Sequence, residues 1–288
     1  MSEEQVKQQV REFYDQVGWQ KVAGDLYQNA RYEDLRPVSA EYIHRCHMRV
    51  NRHLKPRGRF LLDAGSGPVQ YPEYLTYSQD YQYRVCADIS IVALQEARTR
   101  LKERGLYVVA DVSNLPFVSD TFDGIVSLHT LHHLPLEDQT RAYHDLYRVL
   151  APTSTAVIVN GWTESPFMRR WTGLVDLAEA LGGWIARLRG KPAPQKKTRQ
   201  AGVSTQKDAP TGTFVRKLNA EWLREQLGSR MDLQILVWRS VSVRWLRALI
   251  HTLTGGKLWL RLLYDAEERN PRWYGENGQY PMIVIKKP

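Results

Sequence analysis

Hydrophobic positions along this chain change between helical spacing and short continuous runs. Apolar residues at i, i+3 and i+4 spacing predict amphipathic helices over residues 4–17 and 38–54. Short apolar runs predict buried strands at 59–64, 83–87, 106–110, 122–128 and 155–160, with helices at 91–104 and 136–150 between them. This alternation predicts βαβ units, and therefore an α/β fold with a doubly wound, mostly parallel, Rossmann-like sheet.

The regular alternation stops at Gly161. Helical spacing of apolar residues over 162–188 predicts a long amphipathic helix that breaks at Gly182-Gly183. Residues 187–207 contain seven basic residues, no acidic residue and two prolines, which predicts a mobile loop at 190–212. Beyond it we predict a short helix capped by Asn219, a strand at 232–240, a helix at 243–253 and a last strand at 280–286.

These elements divide the chain into four parts. We expect an N-terminal helical cap at 1–58, a nucleotide-binding core at 59–160, a helical and basic insertion at 161–218 that caps the substrate, and a segment at 219–288 that completes the sheet.

The sequence FLLDAGSGP places a tight turn directly after the first strand of the core. Gly65 and Gly67 allow the backbone to turn sharply and to approach a ligand closely. A dinucleotide fingerprint would need a third glycine at position 70, where this chain has Gln70. Asp63 would repel a pyrophosphate but suits an ammonium group. The turn therefore favours S-adenosylmethionine (SAM), which has an amino-acid end and no phosphate, over NAD.

Two further carboxylates end the next two strands. Asp88 ends the second strand, where it can accept hydrogen bonds from ribose hydroxyls, and Asp111 follows the third, where it can accept from the adenine amine. Either residue alone is more often a helix cap or a surface charge. Three acidic residues at the carboxyl ends of three successive strands indicate a cofactor site, because open α/β sheets bind ligands at that edge.

The motifs LLDAGSG, ADIS, ADVSNLPF, DTFDGIVSLHTLHHLP and LYRVLAP together resemble the class I SAM-dependent methyltransferases, especially the ubiquinone/menaquinone-biosynthesis type. The resemblance covers about residues 59–160 and implies SAM as the cofactor. It also implies that the first motif binds the methionine end, that the acid of the second strand holds the ribose and that the third-strand Asp reads adenine. The cofactor residues implied in this way are Asp63, Ala64, Gly65, Ser66, Gly67, Asp88, Ile89, Asp111, Val112, Ser127, Leu128 and His129.

Methyl transfer from a sulfonium needs alignment, exclusion of water and, for some acceptors, a base. His132 and His133 follow the fourth strand at the cofactor rim, and we predict that one of them is the base; the alternative is that they pack or cap the next helix. We assign Tyr14 and Trp19 to a lid over the cofactor and Trp171 to the substrate cap, against the alternative of simple packing.

Charge and tryptophan are unevenly distributed. Residues 1–160 hold 18 Lys+Arg and 20 Asp+Glu, whereas residues 161–288 hold 22 and 11 together with eight of the nine tryptophans. Either this basic half faces an anionic partner, or its charges are solvated around buried tryptophans. Cys46 and Cys86 form no metal pattern, so we predict two core residues and no metal site. Without a leader or a transmembrane segment we expect a cytoplasmic protein, with peripheral contact to an anionic membrane as an open alternative.

Three functions remain open. The first is methyl transfer to a small, apolar or lipid-linked acceptor, and the second is methylation of a nucleic acid such as RNA, which the basic half favours. Against the second, the chain has no Asn/Asp-Pro-Pro-Tyr motif and no cysteine after the fourth strand. The third is a SAM-binding regulatory protein that has lost transfer activity.

Overall fold

The computed structural model describes residues 3–19, 21–23, 26–27, 33–188 and 214–288. The segment predicted to be a mobile loop, 190–212, lies outside these residues. Seven strands form the main sheet: β1 Gly58–Ala64, β2 Tyr81–Asp88, β3 Gly105–Val109, β4 Phe122–Leu128, β5 Leu150–Val159, β6 Asp232–Arg239 and β7 Tyr280–Lys286. Two shorter strands, Lys21–Ala23 and Leu26–Tyr27, pair with each other in antiparallel fashion.

The strand order of the main sheet is β3-β2-β1-β4-β5-β7-β6. Neighbours from β3 through β5 pair in parallel, whereas β7 runs antiparallel to both β5 and β6. The order reverses between β1 and β4, and the carboxyl ends of these two strands meet at that switch point. This arrangement confirms the doubly wound, mostly parallel sheet expected from the sequence.

Ten α-helices accompany the strands in the described parts of the chain. They are α1 Glu3–Phe13, α2 Ala40–Met48, α3 Pro72–Thr76, α4 Ile91–Leu101, α5 Leu136–Val149, α6 Pro166–Leu188, α7 Ala220–Leu227, α8 Val243–Leu249, α9 Gly256–Arg269 and α10 Pro271–Asn277. A π-helical turn, Tyr14–Gly18, continues α1, and a 3-10 turn, Arg49–His53, continues α2. The Asn219 side chain accepts a hydrogen bond from the Trp222 amide, so the predicted cap of α7 is confirmed.

Apolar side chains cover both faces of the sheet. One cluster packs α5 and α7 on one face, and a second packs α3 and α4 on the other. A third cluster joins α2, α6, α8 and α9 outside the sheet. Cys46 and Cys86 are fully buried in these clusters, as predicted.

The predicted break in α6 is wrong. The helix runs without interruption through Gly182 and Gly183, around which a Cβ atom would meet nothing within 4 Å. A glycine inside a helix costs only about 1 kcal/mol relative to alanine, and no packing constraint acts at this point to bend the chain. None of the helices in the described residues is long and apolar enough to cross a membrane.

Candidate functional site

A pocket of about 890 Å³, counting the space at its open mouth, lies at the carboxyl edge of the sheet. It is lined by the ends of the first four strands and by α1 with its π-helical turn. The lining residues are Lys7, Val10, Tyr14, Trp19, Gly65, Ser66, Gly67, Pro68, Gln70, Tyr74, Asp88, Ile89, Ala110, Asp111, Val112, Leu128, His129, Thr130, His133 and Leu134. Most of the cofactor residues predicted from the sequence therefore meet at one place.

The turn after β1 forms the floor of this pocket. Gly65 and Gly67 have φ angles of +72° and +53°, in the left-handed region that favours glycine. A Cβ atom on Gly65 would come within 2.1 Å of the Thr130 side chain, and one on Gly67 within 2.9 Å of the Trp19 ring. Any side chain at either position would therefore displace the loop after β4 or the aromatic ring above the turn.

Asp88 lies at the end of β2 and is 8% exposed. Its two carboxylate oxygens accept hydrogen bonds of 2.8 Å from the backbone amides of Gly67 and Ser90. Burial raises the pKa of Asp88 to about 6, and the nearby Asp63 and Asp15 add to this rise, although the two amide bonds oppose it. Asp88 therefore titrates close to neutral pH while its remaining lone pairs face the pocket.

Asp111 is tied to the N-terminal helix. Lys7 Nζ lies 2.6 Å from Asp111 Oδ2, 2.9 Å from Asp138 Oδ2 and 3.0 Å from Ser113 Oγ. Burial raises the pKa of Asp111, but the hydrogen bonds from Lys7 and Ser113 outweigh it, so that the pKa lies below its usual value. Lys7 thus holds α1 against the ends of β3 and α5.

Lys7 is a pocket residue that the sequence argument missed. Lys7, Val10 and Tyr14 are spaced i, i+3 and i+7, so they share one face of the helix, and all three line the pocket. A single charged residue on that otherwise apolar face was the signal that would have found it.

Five predicted site residues lie outside the pocket lining: Asp63, Ala64, Ser127, His132 and Trp171. Asp63 is 3% exposed, and its Oδ2 lies 2.5 Å from Arg84 Nη2, so the carboxylate has a buried countercharge below the turn. The Ser127 hydroxyl donates to the Ala64 carbonyl at 2.8 Å, which joins β4 to β1. His132 Nδ1 lies 3.2 Å from Asn160 Oδ1, behind the pocket wall. Their direct contact with a cofactor stays a prediction.

The histidines after β4 are all neutral. Burial lowers the pKa of His129 to about 3 and that of His133 to about 4, and Arg239 and Lys217 respectively lower them further. Burial also holds the pKa of His132 well below its ordinary value. His129 and His133 line the pocket, and each keeps a lone pair that an imidazolium would lack.

Tyr14 and Trp19 lie over the turn, where the sequence placed a lid. Their rings stack with a centroid distance of 5.1 Å and an interplanar angle of 20°. The Tyr14 hydroxyl lies 2.9 Å from His133 Nε2, and Asp15 Oδ1 accepts a hydrogen bond of 2.5 Å from the Ser90 hydroxyl. The π-helical turn is therefore attached to the loops after both β4 and β2.

Trp171, predicted as a substrate residue, does not reach this pocket. Its ring makes edge contacts with Phe167 and Trp245, in the cluster that joins α6 to α8 and α9. Its position follows from the packing of the first half of α6 on α8, which directs this face of the helix toward the third cluster.

The known proteins to which this chain is similar are methyltransferases. Residues 62–158 match the family described as a methyltransferase domain. The ubiquinone/menaquinone biosynthesis C-methyltransferase of Idiomarina loihiensis is 29% identical over 160 residues, which cover 49% of this chain and 63% of that protein. The tRNA (carboxymethyluridine(34)-5-O)-methyltransferase of Arabidopsis thaliana is 26% identical over 159 residues, which cover 48% of this chain and 37% of that protein. The chain thus spans less than two thirds of either relative.

Solved structures agree in fold. Geranyl diphosphate methyltransferase in complex with SAM superposes with a TM-score of 0.50 at 16% identity, covering 90% of this chain and 95% of that one. The YcgJ protein of Bacillus subtilis superposes with a TM-score of 0.50 at 14% identity, covering 85% and 99%.

The family match places a methyltransferase domain at residues 62–158, on the Rossmann-like sheet of the SAM-dependent methyltransferases. Within that class the domain is a homologue of the ubiquinone/menaquinone-type C-methyltransferases, which confirms the resemblance found in the sequence.

The pocket fits SAM by its hydrogen-bonding groups. SAM offers donors at its ammonium group, its ribose hydroxyls and its adenine amine, and the pocket offers acceptors at Asp88 and Asp111. Gln70 Oε1 also lines the pocket and, among the described residues, is a buried acceptor without a partner. Asp63 meets Arg84 through one oxygen, Oδ2, and its contact with the ammonium end stays a prediction.

Replacement of Lys7 by methionine should weaken binding of S-adenosylhomocysteine (SAH) about tenfold, which corresponds to about 1.4 kcal/mol. The change removes the charged hydrogen bonds that hold α1 closed, and affinity falls with the closed fraction. Calorimetry measures the effect. Arg11→Met is the matched control, because Arg11 is exposed on the same helix and reaches only Asp15, at 3.7 Å. Equal affinity in both variants would exclude Lys7 as the anchor.

SAH affinity should decrease as the pH falls below about 6, because protonated Asp88 loses the charge that accepts the ribose hydroxyls. Affinity therefore rises with pH through this range and levels off above it. Calorimetry between pH 5 and pH 7.5 tests the prediction with SAH, which carries no sulfonium charge. Asp88→Asn should bind more weakly at neutral pH, by roughly 1.5–3 kcal/mol, and should lose the pH dependence. A variant that keeps this pH dependence would show that another group causes it.

Proposed function

We propose that the protein transfers a methyl group from SAM to a small, apolar or lipid-linked acceptor. The observation that carries this proposal is the chemistry of the pocket lining. Lys7 is the one lysine or arginine that lines the pocket among the described residues, and it is paired with Asp111 and Asp138. The other residues of the pocket wall are largely aromatic and aliphatic. Such a lining suits an apolar acceptor and offers little to a phosphate backbone.

An RNA acceptor is the second candidate. It is favoured by the basic half of the chain and by the similarity to a tRNA methyltransferase. Two arginines of the basic half do not extend this argument, because Arg244 is occupied by Asp176 and Glu179, and Arg239 by Glu33. The ubiquinone/menaquinone-type enzyme is similar to this chain at 29% identity, against 26% for the tRNA methyltransferase, and this supports a small-molecule acceptor.

SAM supplies the electrophilic methyl group, and the residues of the chain position it. We infer that Asp88 holds the ribose, Asp111 the adenine amine and Gln70 the ammonium end. Tyr14 and Trp19 then close the pocket and exclude water, which aligns the acceptor for in-line attack. We also propose that residues 59–160 bind the cofactor, that 1–58 cap it, that 161–218 receive the substrate and that 219–288 complete the sheet.

Purified protein incubated with methyl-labelled SAM should transfer label into a lipid or quinone extract and not into RNA. The pocket predicts this preference because its wall is apolar and its one cation is already paired. Lipid, quinone, polyphenol and RNA fractions are tested in parallel, with Gly67→Leu as the inactive control, since a side chain there displaces Trp19. Efficient labelling of RNA under the same conditions would contradict the small-molecule acceptor, and binding of SAM without transfer to any fraction would favour a regulatory protein.

A lipid surface is the partner that the C-terminal part of α6, residues 174–188, suits best. Six apolar side chains on this part of the helix are 43% to 67% exposed, and we call them the α6 stripe: Leu174, Leu177, Leu181, Trp184, Ile185 and Leu188. The stripe continues directly into residues 187–207, with their seven basic residues. An exposed apolar helix face followed by a polybasic segment is the combination that docks on anionic membranes.

The protein should co-sediment with anionic phosphatidylserine vesicles, and salt should weaken this binding, whereas neutral vesicles should not retain it. The double change Leu181→Ser and Trp184→Ser should lower the partition coefficient at least about tenfold, because each buried side chain contributes roughly 1.5–3 kcal/mol. Val118→Ser is the matched control, since Val118 is 79% exposed in the loop before β4. Absence of binding to either vesicle would remove the membrane from the proposal and leave the stripe as part of a substrate cap.

A further inference from the structure

The two hydrogen-bond partners of His133 determine which ring nitrogen carries its proton. Nδ1 lies 2.8 Å from the carbonyl oxygen of Phe214, and Nε2 lies 2.9 Å from the hydroxyl of Tyr14. A carbonyl can only accept, so Nδ1 is the protonated nitrogen, and the neutral ring keeps its lone pair on Nε2. The Tyr14 hydroxyl therefore donates to Nε2.

This arrangement of donors and acceptors allows a proton to pass from the pocket to Tyr14 and from Tyr14 to His133, as in a relay. The phenol oxygen of Tyr14 can accept a proton from the pocket while its own proton moves to His133, whose other nitrogen is held in place by a backbone carbonyl. Both side chains line the cofactor pocket. We propose that Tyr14 and His133 together accept the proton of the methyl acceptor, an inference that rests on the methyl transfer proposed above.

The step balances in atoms and charge. The acceptor atom forms a bond to the methyl carbon as the carbon–sulfur bond breaks, and the electron pair of that bond remains on sulfur. The proton of the acceptor passes to the Tyr14 oxygen, and the Tyr14 proton passes to Nε2 of His133. One positive charge leaves the sulfonium as another appears on the imidazolium, so the enclosed pocket gains no net charge.

The surroundings of His133 suit this exchange. It is faced by Tyr14 from the π-helical turn, by His132 with ring centroids 4.2 Å apart, and by Lys217 and the Phe214 carbonyl from the chain that returns after the insertion. Burial lowers the pKa of His133 to about 4, and Lys217 lowers it further, against the opposing Phe214 bond. The ring is thus neutral before transfer, and its protonation becomes easier once the sulfonium charge has gone.

His132 does not have these properties. Its Nδ1 lies 3.2 Å from Asn160 Oδ1, its backbone carbonyl accepts from the Arg216 amide, and it lies outside the pocket lining. Of the two histidines that the sequence nominated as the base, the geometry selects His133.

Nuclear magnetic resonance of protein with ¹⁵N-labelled histidine tests the relay without an acceptor. The expected result at neutral pH is a proton on Nδ1 of His133 and none on Nε2, with a change in the Nε2 signal in Tyr14→Phe. The pKa of His133 should be higher in the SAH complex than in the SAM complex, because only SAM carries the sulfonium charge. A resting proton on Nε2, or equal pKa values in the two complexes, would overturn the relay.

Methyl transfer from labelled SAM into the lipid and quinone fractions gives the second measurement. Tyr14→Phe and His133→Asn should each slow labelling about a hundredfold, the lower end of general-base catalysis. The Tyr14→Phe ring still stacks on Trp19, so its SAH affinity should stay within about threefold of wild type. Tyr147→Phe should change neither quantity, because Tyr147 lies near the C-terminal end of α5 beneath Lys287 and outside the pocket lining.

The two proposals fail in different ways. Unchanged labelling in Tyr14→Phe, with active wild-type protein, overturns the relay and leaves methyl transfer standing. Wild-type protein that binds SAH but labels no fraction overturns methyl transfer and the relay with it.

Discussion

A single lysine connects the N-terminal helix to the nucleotide-binding edge of the sheet. Lys7 meets two carboxylates, those of Asp111 and of the fully buried Asp138, and no other charged residue of α1 reaches the pocket lining. This contact brings Tyr14 and Trp19 over the glycine turn. The carboxyl ends of parallel strands form an open edge in a doubly wound sheet, and here α1 and its π-helical turn cover that edge. The enclosed site therefore depends on contacts between distant parts of the chain: the ion pairs of Lys7, and the bonds of the π-helical turn to Ser90 and His133.

The same edge shows how differently three carboxylates are used. Asp63 is neutralised from within the sheet by Arg84, and Asp111 is neutralised from above by Lys7, but Asp88 has only backbone amides as partners. The uncompensated charge is the one whose pKa rises toward neutrality. In a buried site an ionised group without a countercharge is costly, and such a group is retained where a ligand supplies the missing hydrogen bonds. Asp88 is thus the carboxylate that lacks a countercharge from the protein, whereas Asp111 lines the same pocket with its charge already balanced by Lys7.

The sequence predicted the core of the fold well because burial and periodicity act locally. The first and last residues of β4 and β7 are those predicted from their apolar runs. Asn219 caps α7 as predicted, because capping depends only on residues next to it in the sequence. The pairings that the sequence did not predict have non-local causes. Asp63 and Arg84 face each other only because β1 and β2 pair, and Lys7 finds Asp111 across more than 100 residues of chain. A pattern that records spacing along the chain contains no information on which distant countercharge will neutralise a buried acid.

The histidine loop after β4 shows the same principle in the chemistry of the site. Sequence position placed three histidines at the rim but could not rank them, because their roles depend on hydrogen-bond partners from elsewhere. Tyr14 comes from the N-terminal turn, and Phe214 begins the described chain after the basic insertion. His133 is thus contacted from both sides of the loop by segments outside the family-matched core. Residues 62–158 supply most of the pocket lining, whereas segments outside them supply the partners that set the protonation state of His133. A histidine whose tautomer is set by two segments outside the family-matched residues can acquire or lose a catalytic role without any change in those residues.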